Sequence, residues 1–216
     1  MKRKYNYFLL LLLHFFAIVA FGQDVTFYEQ INGHYDFTMI GNTLNTGENN
    51  YQQTLQFLTE SSAELDLNTD DTIHKAYLYW AGSGLGDFDI TLNGVDFSAE
   101  RTFSHSRIIN GIQFDFFGAF TDITQFVQNF GNGTYTFSNL DIVSALQNHF
   151  LFRTNFSGWS IVIIYENENL PLNQINIYDG MEGLPFEINF VLDNLYITDT
   201  SNSKVGFLSW EGDNFH

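Results

Sequence analysis

Short runs in which apolar and polar residues alternate, separated by turns rich in Asn and Gly, constrain this chain most strongly. Residues 73–81 show the pattern clearly, with Leu78 and Trp80 on one face of a predicted strand and Tyr77 and Tyr79 on the other. The chain contains 24 Phe and 11 Tyr beside only 2 Pro, and aromatic residues favour half-buried positions in pleated sheets. The pattern predicts an all-β fold, an antiparallel two-sheet sandwich of jelly-roll type with one short helix.

Local signals place several elements within this fold. Asn93-Gly94 and Asn110-Gly111 each stand between alternating runs, which predicts two hairpins with type I′ turns. Residues 158–165 are apolar on both faces and predict a central strand, and further strands are predicted over 25–40, as a strand or hairpin, and over 204–210. The helix is predicted from an N-cap at Thr121 or Asp122 and from apolar residues at helical spacing, namely Ile123, Phe126, Val127 and Phe130.

The first 22 residues have the three parts of a secretory signal peptide. Lys2, Arg3 and Lys4 form a basic start, an apolar run extends from Phe8 to Phe21, and the small residues Ala20 and Gly22 suit a signal peptidase. The apolar run is shorter than the ~20 residues that a bilayer span needs. We therefore expect cleavage after Gly22, export, and a single β-sandwich domain over residues 23–216.

Charge and cysteine content exclude several classes of protein. After the predicted cleavage the chain keeps five basic residues against all 25 acidic residues. Such an acidic chain is repelled by nucleic-acid phosphates and anionic lipid headgroups, so we expect no nucleic-acid partner and no membrane binding after signal cleavage. The absence of Cys excludes disulfides, a thiolate metal site and an acylated N-terminal cysteine.

Calcium is the one cofactor that the sequence suggests. Asp66, Asn68 and Asp70 present hard oxygen ligands at every second position, as at the start of a calcium loop. The match is partial, because Asp71 stands where such a loop has Gly and Tyr77 stands where it has a bidentate Glu. The alternative is an acidic turn that leads into the strand at Ile73.

Tyr77 and Tyr79 share one strand face and could form a stacking platform for sugar rings. The alternative is that both rings pack beneath a second sheet or a loop, as aromatic residues do in sandwich cores. For catalysis the sequence offers no comparable pattern. The histidines lack metal-site spacing, and no spacing singles out a pair of carboxylates for glycoside hydrolysis.

Seven ordered motifs carry a family resemblance: residues 75–82, 90–94, 117–124, 131–135, 158–167 with 170–171, 177–180 and 210–213. Over about residues 60–213 the chain resembles the β-rich N-terminal domain of large adhesin-like surface proteins of flavobacteria, which are exported by the type IX secretion system linked to gliding motility. The resemblance implies an extracellular interaction protein and assigns no site residues. Such proteins continue past this point, so we expect either a truncated form or release into the periplasm or the medium.

The function predicted from these signals is non-enzymatic: an exported domain, secreted or on the outer cell surface, that acts in adhesion or another surface interaction. The expected partner is a glycan or a surface protein, and the oligomeric state is left open. A calcium-assisted carbohydrate-binding module is the alternative, and a glycan-active hydrolase is the third hypothesis.

Overall fold

The computed structural model describes residues 23–48, 56–142, 146–183, 192, 195–197, 201 and 203–210. The predicted signal peptide, residues 1–22, and its cleavage site lie outside the described residues. The strands are β1 (Gln23–Gly33), β2 (Tyr35–Thr43), β3 (Glu60–Leu65), β4 (Thr72–Ser83), β5 (Asp89–Leu92), β6 (Val95–Ser98), β7 (Arg101–Ile109), β8 (Ile112–Asp122), β9 (Gly133–Ser138), β10 (Ser157–Glu166) and β11 (Asn173–Met181). The helices are α1 (Thr124–Phe130) and α2 (Leu146–Phe152).

These strands form two main sheets and a ribbon. The order is β2-β10-β4-β8-β7 in a five-stranded sheet and β3-β9-β5-β6 in a four-stranded sheet, while β1 and β11 pair as a two-stranded ribbon. Every pairing is antiparallel. The structure therefore confirms the predicted all-β sandwich. The ribbon, which was not predicted, adds a layer on the outer side of the five-stranded sheet.

Strand β4 divides its side chains between two cores. Leu78 and Trp80 belong to the larger core, between the two main sheets, and neither side chain is exposed. Tyr77 and Tyr79 belong to the smaller core, between the five-stranded sheet and the ribbon. The predicted division of faces is confirmed, because residues two apart on a strand point to the same side.

Strand β10 is central, as its continuous apolar run predicts. It pairs with β2 on one side and β4 on the other. The Trp159 ring stacks on Phe137 of the facing sheet, with centroids 5.6 Å apart, and its indole Nε1 donates to Ser61 Oγ at 2.8 Å. The indole thus fills the larger core while its polar atom keeps a hydrogen bond.

Both predicted hairpins and the predicted helix are present. Asn93 and Asn110 have φ of 47° and 52°, and the glycines that follow them have φ of 78° and 80°. Two consecutive positive φ angles are what a type I′ turn requires. The predicted cap at Thr121 or Asp122 is wrong, because Ile123 occupies the N-cap position of α1 and makes no side-chain cap hydrogen bond. Asp122 Oδ1 instead accepts the N–H of Thr124, the first residue of the helix, at 2.8 Å. The second helix, α2, was not predicted.

Two strand predictions need correction. The predicted opening segment forms two strands, but β1 and β2 join different sheets and do not pair with each other as a hairpin. Residues 204–210 form no strand. Lys204 instead reaches Asp36 Oδ1 at 2.8 Å, and Trp210 packs against the smaller core. Side-chain contacts thus hold residues 204–210, instead of the strand pairing that their alternating apolar and polar residues predicted. No helix among the described residues is long and apolar enough to cross a membrane.

Truncation of Leu78 should test the larger core. We expect Leu78→Ala to lower the free energy of unfolding by about 2–5 kcal/mol, because it removes a fully buried side chain and leaves a cavity. The matched control is Leu85→Ala, at a position 80% exposed, which should change stability by less than about 0.5 kcal/mol. Urea unfolding followed by Trp fluorescence measures both, and equal losses would contradict the assigned core.

Candidate functional site

The predicted stacking platform is wrong. Tyr77 and Tyr79 are 0% and 8% exposed and lie beneath the β1–β11 ribbon, so neither ring offers a face to a sugar. Tyr28 of β1 contacts Tyr77 edge-on, with ring centroids 5.8 Å apart. The alternative, packing beneath a second layer, is what the structure shows.

The hydroxyl groups of these tyrosines belong to a buried polar network. Tyr77 donates a hydrogen bond to Glu29 of the ribbon, and Tyr79 donates to Asp179 Oδ2 at 3.3 Å. Arg101 binds the same Asp179 in a bidentate manner, with Nη1–Oδ2 and Nη2–Oδ1 distances of 2.7 and 2.8 Å. The network therefore joins the ribbon to the five-stranded sheet through three contacts: Tyr77 with Glu29, Tyr79 with Asp179, and Arg101 with Asp179.

Burial dominates the electrostatics of this network. It raises the pKa of Tyr77 and of Tyr79 well above the ordinary tyrosine value, with further contributions from the carboxylates that they contact. Burial also raises the pKa of Asp179, while the nearby guanidinium of Arg101 acts in the opposite direction. The Asp179 side chain is 4% exposed and that of Arg101 is 34% exposed. The side chains of Tyr77, Tyr79, Arg101 and Asp179 therefore serve to hold the ribbon against the five-stranded sheet.

A concave surface lies at one end of the sandwich, where the turn between β3 and β4 faces α1. This end groove has a volume of about 530 Å³. Its walls combine amide, hydroxyl and carboxylate groups with two aliphatic side chains, and they are formed by Leu67, Asn68, Asp71, Thr72, Ile73, Gln128, Gly131 and Asn132. By contrast, the cavity beneath the ribbon holds about 30 Å³, roughly the volume of one water molecule.

Hydrogen bonds fix the walls of the end groove. Asn132 bridges to Leu67 through both amide atoms: its Nδ2 donates to the carbonyl at 2.7 Å, and its Oδ1 accepts from the N–H at 2.9 Å. Gln128 Nε2 donates to the carbonyl oxygen of Ile73 at 3.0 Å. The helix end, the turn and the start of β4 are thereby held in one arrangement.

Asp71 organises the turn that carries the calcium prediction. Its Oδ2 accepts from the N–H and the Nδ2 of Asn68, both at 3.0 Å, and its Oδ1 accepts from Asn167 Nδ2 at 2.7 Å. Although burial acts to raise the pKa of Asp71, the hydrogen bonds from Asn167 and Asn68 hold it below its ordinary value. The carboxylate therefore remains ionised at neutral pH.

Only one residue of the predicted calcium set lines the end groove. Asn68 does so, whereas Asp66 and Asp70 are exposed beside it and are not lining residues. Across the part of the chain that the structure describes, no group of three or more histidine and carboxylate side chains is placed to hold a metal ion. The calcium site stays a prediction.

Sequence reasoning missed Gln128 and Asn132. Gln128 lies on the polar side of the predicted helix, and Asn132 lies in the Gly-Asn-Gly segment that ends it. No local spacing connects them with the turn at Leu67, which is 65 residues from Asn132. Their role follows only from the antiparallel return of β8, which brings α1 beside the start of β4.

Comparisons with protein-family models, with curated proteins and with solved structures gave no match for this chain. The family resemblance therefore stays a prediction from sequence motifs. The geometry of the end groove is the structural basis for a functional proposal.

Removal of Arg101 should show how much an unpaired, buried Asp179 carboxylate destabilises the fold. We expect Arg101→Met to lower the free energy of unfolding by about 2–3 kcal/mol at pH 7, because the charge of Asp179 loses its partner. The pKa of Asp179, already raised, should rise further. A raised carboxyl pKa costs stability as the pH rises through it, so the loss should be smaller at pH 4 than at pH 7, because Asp179 takes up a proton as the pH falls.

The matched control is Lys75→Met, which removes a more exposed ion pair with Glu29 at 3.9 Å. It should cost less than about 1 kcal/mol at both pH values. Urea unfolding at each pH measures both variants. A loss in Arg101→Met that does not depend on pH would contradict the assigned role of Asp179.

Proposed function

We propose that this chain is an exported, non-enzymatic β-sandwich domain that acts in adhesion or another surface interaction, with the end groove as its binding surface. The observation that carries the proposal is the groove of about 530 Å³ with walls fixed by hydrogen bonds. Binding sites commonly have volumes of about 300–1,000 Å³ and combine apolar walls with a few placed polar groups. A fixed wall also loses little conformational entropy when a partner binds.

The ionised carboxylate of Asp71 in the groove supports a role in binding rather than in catalysis. A general acid needs a raised pKa so that it carries a proton at neutral pH. The carboxyl group that lines the groove, Asp71, has a lowered pKa and acts as a fixed acceptor. Tyr79 and Asp179, whose pKa values are raised, lie in the layer beneath the ribbon and are hydrogen-bonded to each other.

Export is supported by the leader-like residues 1–22 and by the composition of the remainder. A strongly acidic composition favours the solubility of such a domain after export. The proposed location is the medium or the outer cell surface, and the proposed partner is a glycan or a surface protein. The motif resemblance to adhesin-like proteins points to the same role.

Filling the end groove should abolish adhesion. We expect beads coated with the purified Thr72→Trp variant to bind the producing cells at least tenfold less than beads coated with the unchanged protein, because Thr72 is an exposed lining residue. Thr102→Trp is the matched control, since Thr102 is also exposed but lies near the start of β7 and does not line the groove. Bead counts per cell under a microscope give the measurement.

Two outcomes would overturn the proposal. Cell fractionation that finds the protein only in the cytosol would rule out export. Turnover of a chromogenic glycoside, lost on substitution of a single carboxylate, would show that the chain is a hydrolase.

The second candidate is a calcium-assisted carbohydrate-binding module, favoured by the position of Asn68, which belongs both to the predicted calcium set and to the groove wall. Calcium at about ten times its Kd would stabilise the fold by about 1.4 kcal/mol. We therefore expect millimolar calcium to raise the melting temperature, and Asp70→Ala to remove that rise. A melting temperature that calcium does not change would eliminate this candidate.

A further inference from the structure

The end groove and the turn of the β7–β8 hairpin lie at opposite ends of the five-stranded sheet. Strand β4 begins beside the groove and runs antiparallel to β8, so that Tyr77 pairs with Asp122 and Ser83 pairs with Phe116. The beginning of β8 therefore lies at the far end from the groove. The hairpin tip, residues 107–113, projects there beyond the last pair of β4.

The hairpin tip is apolar and carries an exposed cation. Ile108 and Ile112 are 72% and 37% exposed, and Arg107 is exposed beside them. Ion pairs of the described residues join Lys75 to Glu29, Arg101 to Asp179 and Lys204 to Asp36, and Arg107 belongs to none of them. On a chain with 8 basic and 25 acidic residues, this combination is unusual.

The groove end has the complementary character. Asp71 lines the groove and carries an ionised carboxylate, and the exposed Asp66 and Asp70 flank it on the same turn. Leu67 and Ile73 supply aliphatic walls among the polar groups. An apolar element that carries one positive charge fits such a groove through both hydrophobic contact and charge attraction.

We propose that the hairpin tip of one copy of this chain docks in the end groove of a second copy, so that Ile108 and Ile112 contact the aliphatic walls and Arg107 faces the aspartates. The inference rests on the proposed function of the groove as an interaction surface, and it names the partner. Because the two surfaces are different and lie at opposite ends, a docked pair still has one free tip on one copy and one free groove on the other. Such a head-to-tail contact builds a ring when the rotation between successive copies closes and an open filament when it does not.

A contact as small as one hairpin tip is weak and transient, so covalent capture is the suitable test. The chain has no cysteine, and each introduced thiol is therefore unique. Gln113→Cys places a thiol at the tip and Thr72→Cys places one in the groove, both at exposed positions. Mixed under mild oxidation at low salt, these two proteins should form the disulfide heterodimer at least tenfold faster than the control pair. The control pair is Gln113→Cys mixed with Thr102→Cys, whose thiol lies near the start of β7 and outside the groove.

Charge supplies a second measurement. Adding Arg107→Glu to the Gln113→Cys protein should slow heterodimer formation at least tenfold, whereas adding Arg107→Lys should preserve most of the rate. For Gln113→Cys mixed with Thr72→Cys, 0.5 M NaCl should also slow heterodimer formation, because salt screens the charges. Melting temperatures establish that every variant is folded. Equal rates for all cysteine pairs, or no effect of Arg107→Glu, would overturn the docking. If bead adhesion still depends on Thr72 in that case, the groove binds another partner and only the self-association is wrong.

Discussion

Burial of the five-stranded sheet on both faces is the constraint on which the rest of this structure depends. Its central strands β4 and β10 supply side chains to two separate cores, one shared with the four-stranded sheet and one with the ribbon. A sheet that is apolar on both faces is stable only when other layers bury both of those faces from water. Two covering layers are therefore needed, and their attachment decides which surfaces remain for function.

The ribbon is attached by polar groups as well as by apolar contact. Asp179 lies almost fully buried between Arg101 and Tyr79, and such a charge is tolerated only while it is paired. The burial that raises the pKa values of Tyr79 and Asp179 also keeps both groups out of contact with solvent and with any binding partner. Leu67 and Ile73 of the end groove pack against the larger core, whereas Asn68, Thr72, Gln128 and Asn132 in its walls are exposed to solvent.

Local patterns predicted a large part of the fold. Asn-Gly pairs gave both hairpin turns, because few other residues accept two consecutive positive φ angles at low cost. Period-two alternation assigned the two faces of β4 correctly. The same alternation failed at residues 204–210, where Lys204 and Trp210 are held by side-chain contacts. Tyr77 and Tyr79 were placed on the right face, but the layer that covers them has no local signal.

The sequence by itself determined the elements whose cause lies within a few residues: alternating strands, their turns and the apolar face of α1. Only the tertiary structure decided which distant residues meet, because contacts such as Asn132 with Leu67 or Arg101 with Asp179 join positions 65 and 78 residues apart. Strand order sets those contacts, and strand order depends on the burial of whole faces. The groove is a product of that order and therefore leaves no motif in the sequence.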